Sequence, residues 1–478
     1  MNGQIKSKAV WGIAWTGGGR IATQGIQFLL GLIIARMLMP SDYGIIGMLA
    51  IFMAISQTFL DSGFASALIQ KKDRTDEDYS TVFWFNNIAA VILYAIIFIS
   101  APYIAVFYDM PVLTNVARVV SLSLIINGLS IVQTAKLTID LNFRIQSVAS
   151  ISSALISGCI GLLLAYCQYG VWALVFQSLS ASLIRLFIIW SCSRWSPSLR
   201  FSIRSFRQLF AFGSKILCSG LINTTYRNIY TLVIGKFFSP ADVGFYNRGN
   251  HLALLPVQTC TDVLLKVNYP ILSKLQDDNE QLINAYQKLL RTPLFLLYPL
   301  LAGIAALANP LVEIVLGEKW LPCVHILQIL ILAYMWSPLT HINLNLLYVK
   351  GRSDLVLKLE LIKKTIAFAI LFATIPFGIW WMCAGQAFYF FIAFVFNCHY
   401  TKRLLDFGFK KQIKELLPVI LYTSFIYLFI TFISSFIDFA WIKVLTGCIT
   451  GAVLYLFMAY IFKDKSLRMI ISHLSKSV

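Results

Sequence analysis

Fourteen long apolar runs separated by short polar gaps dominate the chain. They predict helices at 10–38, 44–69, 81–107, 113–135, 147–166, 170–192, 209–236, 246–272, 291–315, 324–347, 356–376, 379–400, 416–436 and 441–462. Each is about long enough to cross a bilayer, which takes ~20 residues per helix. The first run is too long for the apolar stretch of a cleavable signal and leads straight into a second span, so no leader is expected.

Polar residues inside some runs recur with helical period. In the first, Gly17, Arg20, Gln24, Gln27 and Gly31 fall on one face. In the seventh, Gly220, Thr224 and Arg227 stand 200 positions later, with Asn223 and Asn228 beside them. Runs two and eight repeat a Gln-Thr-x-x-Asp pair, Gln57 with Asp61 and Gln258 with Asp262. These matches belong to a longer internal repeat. Residues 32–48, LIIARMLMPSDYGIIGM, recur as 232–248, LVIGKFFSPADVGFYNR. YGVWAL at 169–174 matches FGIWWM at 377–382, and basic linkers follow runs six and twelve.

The expected architecture is therefore an all-α polytopic membrane protein. Two parallel six-helix repeats form an N-lobe over 1–193 and a C-lobe over 209–400. A basic interfacial linker spans 194–208, a second linker 401–415, and two extra helices with a tail occupy 416–478. Six spans per lobe give the repeats the same orientation, related by an axis along the membrane normal. Pro-Ser-Asp-Tyr-Gly and Pro-Ala-Asp-Val-Gly read as short outer turns in which Asp caps the next helix.

Composition agrees. The 478 residues are 58% hydrophobic and 13% charged, with mean hydropathy +0.76, against about 25% charged residues in soluble proteins. The net charge of +18 raises nucleic acid as a partner, but the basic residues cluster in alternate gaps. Lys71, Lys72 and Arg74 share one gap, and Lys402, Arg403, Lys410, Lys411 and Lys414 another, whereas the intervening gaps hold little beyond Lys236 and Lys319. That is the positive-inside pattern; it predicts cytoplasmic termini and no nucleic-acid role. The nine cysteines are scattered without metal spacing and read as inert thiols. No nucleotide-binding loop or nucleophile–base set is present, so neither an enzyme nor a cofactor or metal is expected.

Charges deep in a span are costly and face a wet cavity or a partner. Arg118, Arg185, Arg248, Lys266, Glu313 and Lys443 lie near span ends and can snorkel. Arg20, Asp61, Arg227 and Asp262 cannot; Arg20 is ~15 Å into the first span at 1.5 Å per residue. The pattern predicts a cavity lined by runs one, two, seven and eight. In it Arg20, Arg227 and Lys215 would bind an anionic substrate group. Gln24, Gln27, Gln57, Asn223, Thr224, Asn228 and Gln258 would supply hydrogen bonds. Asp61 and Asp262 would serve as coupling or structural acids, and salt bridges Arg20–Asp61 and Arg227–Asp262 stay open as a structural alternative. Gly17-Gly18-Gly19 reads as a hinge or a close-packing element, the hinge being preferred.

Several strings carry a family resemblance. VIGKFFSPADVGFYNRG, LLPVQ, YPILSKLQDD and VLGEKW, in that order, with LIIARMLMPSDYG and FLDSGFASALIQ before them, resemble the colanic-acid-exporter (WzxC-like) branch of the polysaccharide transport family. That family belongs to the multidrug/oligosaccharidyl-lipid/polysaccharide exporter superfamily. The resemblance implies a flippase that moves undecaprenyl-diphosphate-linked repeat units from the cytoplasmic to the periplasmic leaflet of the bacterial inner membrane. Its implied partners are the lipid bilayer, a polysaccharide polymerase and chain-length regulator, and a proton or sodium gradient. Related lipid II flippases use cavity arginines on the corresponding helices, by analogy Arg20 and Arg227. Two other readings stay open: a cation-coupled small-molecule antiporter of the same superfamily, and a non-transporting scaffold of the assembly machinery.

Overall fold

The computed structural model describes residues 2–61, 63–193 and 195–469; the side chains of 2–10, 13, 14, 212, 215, 263, 266 and 267 lie outside that description. All regular structure among the described residues is helical. The chain forms two compact units, 1–244 and 245–478.

The first unit contains α1 (Asn2–Met37), α2 (Pro40–Asp61), α3 (Phe64–Gln70), α4 (Asp76–Phe107), α5 (Val112–Val120), α6 (Leu122–Gly128) and α7 (Ile131–Ile139). It continues through α8 (Phe143–Tyr166), α9 (Val171–Cys192), α10 (Ile203–Phe237) and the first turn of α11 (Pro240–Lys274). Here α8 lies between α1 and α9, and α10 packs along α2. The second unit takes the rest of α11, then α12 (Asn279–Ala306), α13 (Ala308–Leu316), α14 (Cys323–Tyr334), α15 (Ser337–Val349) and α16 (Ser353–Thr374). It closes with α17 (Ile379–Leu405), α18 (Phe409–Ser434) and α19 (Ala440–Ile461). Within it α12 packs on α18, α17 on α14 and α16, and α19 on α13 and α18.

Among the described residues, eleven helical segments are long and apolar enough to cross a membrane. Three more long helices, α10, α11 and α16, coincide with predicted spans but are more polar. Arg227 and Lys236 dilute α10, Arg248 and Asp262 dilute α11, and Lys358, Glu360, Lys363 and Lys364 dilute α16. Fourteen spans are compatible with this set. The outward faces identify the solvent. On α4, Ile88, Ile92, Ile96, Ile99 and Tyr103 share one stripe, each more than half exposed. Water would not tolerate such a continuous apolar face, and lipid welcomes it.

The repeat is visible in backbone detail. α1 ends at Met37 and α2 begins at Pro40; α10 ends at Phe237 and α11 begins at Pro240. The Met39 N–H donates to Asp42 Oδ2 at 2.9 Å, and the Ser239 N–H to Asp242 Oδ2 at 3.1 Å. Each Asp thus caps its helix three residues in, with Pro at the first helical position. Gly44 and Gly244 permit close approach there: a Cβ on Gly44 would collide with the Pro240 carbonyl, and one on Gly244 with the Pro40 carbonyl. Gly170 and Gly378, the matched glycines before α9 and α17, both have positive φ, 55° and 97°.

The linker after α9 is docked along part of its length. The Trp84 indole N–H donates to the Ser198 carbonyl at 2.8 Å, and the Ser202 N–H donates to Thr81 Oγ1 at 3.0 Å. Trp195 is buried with Phe64, Tyr79, Val82 and Phe83. In the second linker, Asp406 accepts from Lys411 Nζ at 2.6 Å. That hydrogen bond, aided by the ammonium charge, holds the Asp406 carboxyl below the usual carboxylate range.

Candidate functional site

Helix α1 comes unusually close to α8 because small residues face each other. A Cβ on Gly19 would strike the Ser147 side chain, and one on Gly12 would sit 2.8 Å from the Phe143 ring. Small residues let backbones approach in membranes, where packing and hydrogen bonds drive helix association. The Ser147 hydroxyl donates to the Trp15 carbonyl at 2.8 Å, and the Arg144 guanidinium lies over the Trp15 ring at 5.6 Å. Gly17 and Gly18 meet open space. Gly19 is therefore a packing position, not part of a free hinge.

This contact leaves a polar cavity of about 240 Å³ between α1, α8 and α9. From α1 come Thr16, Gly19, Arg20, Thr23 and Gln24; from α8, Phe143, Gln146, Ser147 and Ser150; from α9, Arg185. Gln146 is fixed by donating to Thr138 Oγ1 at 3.0 Å. Arg20 and Arg185, both exposed, thus line one small cavity. Arg185 was expected to snorkel; the structure places it with Arg20. A signal was present, since Ser178, Ser182 and Arg185 stand on one face of α9 with four-three spacing.

A chain of side-chain hydrogen bonds joins α6 to α2. Asn127 Nδ2 donates to Gln57 Oε1, and Gln57 Nε2 to Asp61 Oδ1, both at 3.1 Å. On α10, the Thr224 hydroxyl pairs with that of Thr58 at 2.9 Å, and Asn228 Nδ2 donates to the Thr224 carbonyl at 2.9 Å. Gly220 allows this approach, since a Cβ there would sit 3.0 Å from the Thr58 methyl. The structure therefore brings together Arg20 with Gln24, Gln57 with Asp61, and Thr224 with Asn228. Gln27, Asn223 and Arg227 are exposed on their helices and do not line this cavity. Gln258 is exposed and Asp262 half-buried on α11, in the second unit. Lys215 lies in α10, but its side chain is outside the described residues.

A second cavity, of about 450 Å³, lies wholly in the second unit. It is apolar, walled by α12 and α13 (Pro299, Gly303, Leu307), α18 (Ile426) and α19 (Gly447, Gly451).

Comparison with known proteins now places the chain. The family model described as "Polysaccharide biosynthesis protein" matches residues 33–325, more than half of the sequence. The chain belongs to this family. Over 353 residues it is 26% identical to the teichuronic acid biosynthesis protein TuaB of Bacillus subtilis (strain 168), covering 73% of each chain. It is 23% identical over 365 residues to the lipopolysaccharide biosynthesis protein WzxC of Escherichia coli (strain K12), covering 75% of this chain and 73% of that one. The resemblance drawn from the sequence strings is borne out. Among solved structures, the lipid II flippase MurJ in an inward closed conformation superposes with a TM-score of 0.75 at 15% identity, over 95% of this chain and 98% of that chain. At that identity the likeness establishes the fold: an all-α, multi-pass membrane protein.

Proposed function

We propose that this member of the polysaccharide biosynthesis protein family is a lipid-linked oligosaccharide flippase. It moves undecaprenyl-diphosphate-linked repeat units from the cytoplasmic to the periplasmic leaflet of the bacterial inner membrane, with both termini cytoplasmic. It performs no chemistry on its cargo. The observation that carries the reading is the polar cavity holding Arg20 within a lipid-facing helical body. A fixed cation inside the membrane lowers the cost of bringing a diphosphate out of water, and a guanidinium offers the paired donors that phosphate geometry requires. The polyprenyl tail needs no such help and stays in lipid; the apolar cavity walled by α12, α13, α18 and α19 supports a place for it beside the last two helices.

Transport proceeds by alternating access of the lobes 1–193 and 209–400, with Gln24, Gln27, Asn223 and Asn228 bonding sugar hydroxyls and Arg227 meeting the diphosphate from the second repeat. Asp61 or Asp262 couples the cycle to a proton or sodium gradient, and a polymerase with its chain-length regulator receives the product.

The test is leaflet sidedness of labelled undecaprenyl-diphosphate oligosaccharide in proteoliposomes. Wild type should move it, and Arg20→Ala/Arg227→Ala should slow movement by about tenfold or more, the value of a charge-assisted hydrogen bond. Equal movement by the double variant would remove the arginines from substrate handling. No movement by wild type, with ion gradients and several glycans tried, would overturn the flippase reading in favour of small-solute antiport or a scaffold.

A further inference from the structure

We infer that residues 199–210, the end of the first linker and the opening turns of α10, form a docking surface for the headgroups of anionic phospholipids. The inference is independent of the flippase reading. The backbone here is held from α4. The Ser198 N–H donates to Ser80 Oγ at 3.1 Å, and Trp84 and Thr81 tie down Ser198 and Ser202 as described above. α10 then opens with two unlike faces. Ser205 and Leu209 are buried, and Phe206 between them stacks on Phe64 with ring centres 5.9 Å apart. On the other side Ile203, Arg204, Arg207 and Phe210 are exposed, and Leu199, Arg200 and Phe201 are exposed just before them.

This surface suits neither water nor hydrocarbon. Leu199 is 89% and Ile203 64% exposed, a poor use of apolar side chains in water. Hydrocarbon would strand the guanidinium groups of Arg200, Arg204 and Arg207. The headgroup layer meets both needs, taking apolar side chains at the acyl boundary while phosphates meet the arginines. Charge complementarity names the occupant. The sequence carries no Asp or Glu from 141 to 241. Among the described residues, no carboxylate forms an ion pair with Arg200, Arg204 or Arg207. Asp78, at the start of α4 beneath this segment, is bound by Lys71 at 2.7 Å. The positive-inside pattern assigns the segment to the cytoplasmic side, where anionic lipids attract basic residues close to the surface. Headgroups held here fix the start of α10, the helix that opens the second repeat.

The experiment places the purified full-length protein in phosphatidylcholine nanodiscs, adds phosphatidylglycerol of the same acyl chains in increasing fraction, and reads amide hydrogen exchange over 199–210. Phosphatidylglycerol should slow exchange of this segment by about tenfold or more, given three arginines near the surface. Arg200→Gln/Arg204→Gln/Arg207→Gln should abolish the slowing. The matching triple lysine variant should keep most of it, because attraction to a charged surface needs the charge more than the paired donors. Lys402→Gln/Arg403→Gln/Lys410→Gln removes equal charge from the second linker and should leave the slowing intact. Leu199→Ser/Ile203→Ser should weaken it, and inorganic pyrophosphate added to phosphatidylcholine nanodiscs should not reproduce it. Melting temperatures in phosphatidylcholine report folding separately; if the triple glutamine variant does not fold, the three single Arg→Gln variants carry the comparison. Slowing in the glutamine variants equal to wild type overturns the docking surface. So does equal slowing by phosphatidylcholine alone, or equal loss in the second-linker variant, which would make the effect one of net charge. Slowing by pyrophosphate as strong as by phosphatidylglycerol overturns the lipid as occupant in favour of a soluble phosphate.

Discussion

Gly19→Val should abolish transport and lower stability by about 1–3 kcal/mol, the usual cost of forcing extra methyl groups into a packed contact. The cause is local. A Cβ at position 19 would strike the Ser147 side chain and come within 3.4 Å of the Ser147 Cα, so little can give way without moving a helix. Driving α1 from α8 would break the Ser147-to-Trp15 hydrogen bond and displace Arg20, Thr23 and Gln24 from Arg185 across the cavity. Displacements near an ångström suffice to lose a positioned charge. Gly17→Ala and Gly18→Ala are the informative companions. Both positions meet open space, so alanine should cost nothing sterically and gain up to about 1 kcal/mol of helix propensity each. If transport by these two variants matches wild type while Gly19→Val is inactive, the glycine run serves packing. If Gly17→Ala and Gly18→Ala also lose transport while folding normally, the run bends during the cycle. Sidedness assays alongside melting temperatures separate the outcomes.

How much of this was legible beforehand depends on how strongly each feature marks the sequence. The spans were, because a long apolar run has few alternatives to a membrane helix. So were the capped turns at Pro40 and Pro240, because Pro and Asp at fixed offsets have a specific backbone use. The breaks were not. α5, α6 and α7 interrupt one predicted span near Ser121 and Ser130, where hydroxyls bond back to the carbonyls of Arg118 and Asn127. Serine does the same inside many continuous helices, so it announces no break. The candidate site divides likewise. Arg20 and Gln24 stand out on α1, since a charge and an amide on one face of an apolar run are costly. Ser147 and Ser150 on α8 do not, because a lone serine is cheap in a helix. Arg185 lines the cavity with Arg20, a placement that its position near a span end does not announce. Its distance from the span end permits snorkelling, but the path taken by a long side chain is decided by neighbouring helices, here α1 and α8. Proximity to a span end is a permission, and packing decides whether it is used.

Asp464→Ala should destabilise the second unit by about 3–5 kcal/mol, the range for stranding one partner of a buried ion pair. Asp464 is 2% exposed and accepts from Arg291 Nη2 at 2.5 Å and from the Ser466 N–H at 2.7 Å. Arg291, itself 8% exposed on α12, also pairs with Glu415 Oε2 of α18 at 3.3 Å. The segment after α19 is thereby pinned to α12 and α18, and Thr292 donates a weak hydrogen bond to Met469 Sδ at 3.8 Å beside it. Without the Asp464 carboxylate, Arg291 keeps among the described residues one acceptor group at the edge of the cluster, Glu415, whose side chain is 25% exposed. The expected consequences are a lower melting temperature and proteolytic cleavage just after Phe462, while the apolar cavity between α12, α18 and α19 loses its fixed walls. The pair is not the only way to hold that segment. Arg291→Met/Asp464→Leu removes both charges together, so no ion is left buried alone, and stability should return toward wild type. Recovery in the double variant would locate the cost of Asp464→Ala in the stranded guanidinium. A double variant as unstable as Asp464→Ala would instead make the carboxylate's hydrogen bond to the Ser466 N–H the essential contact.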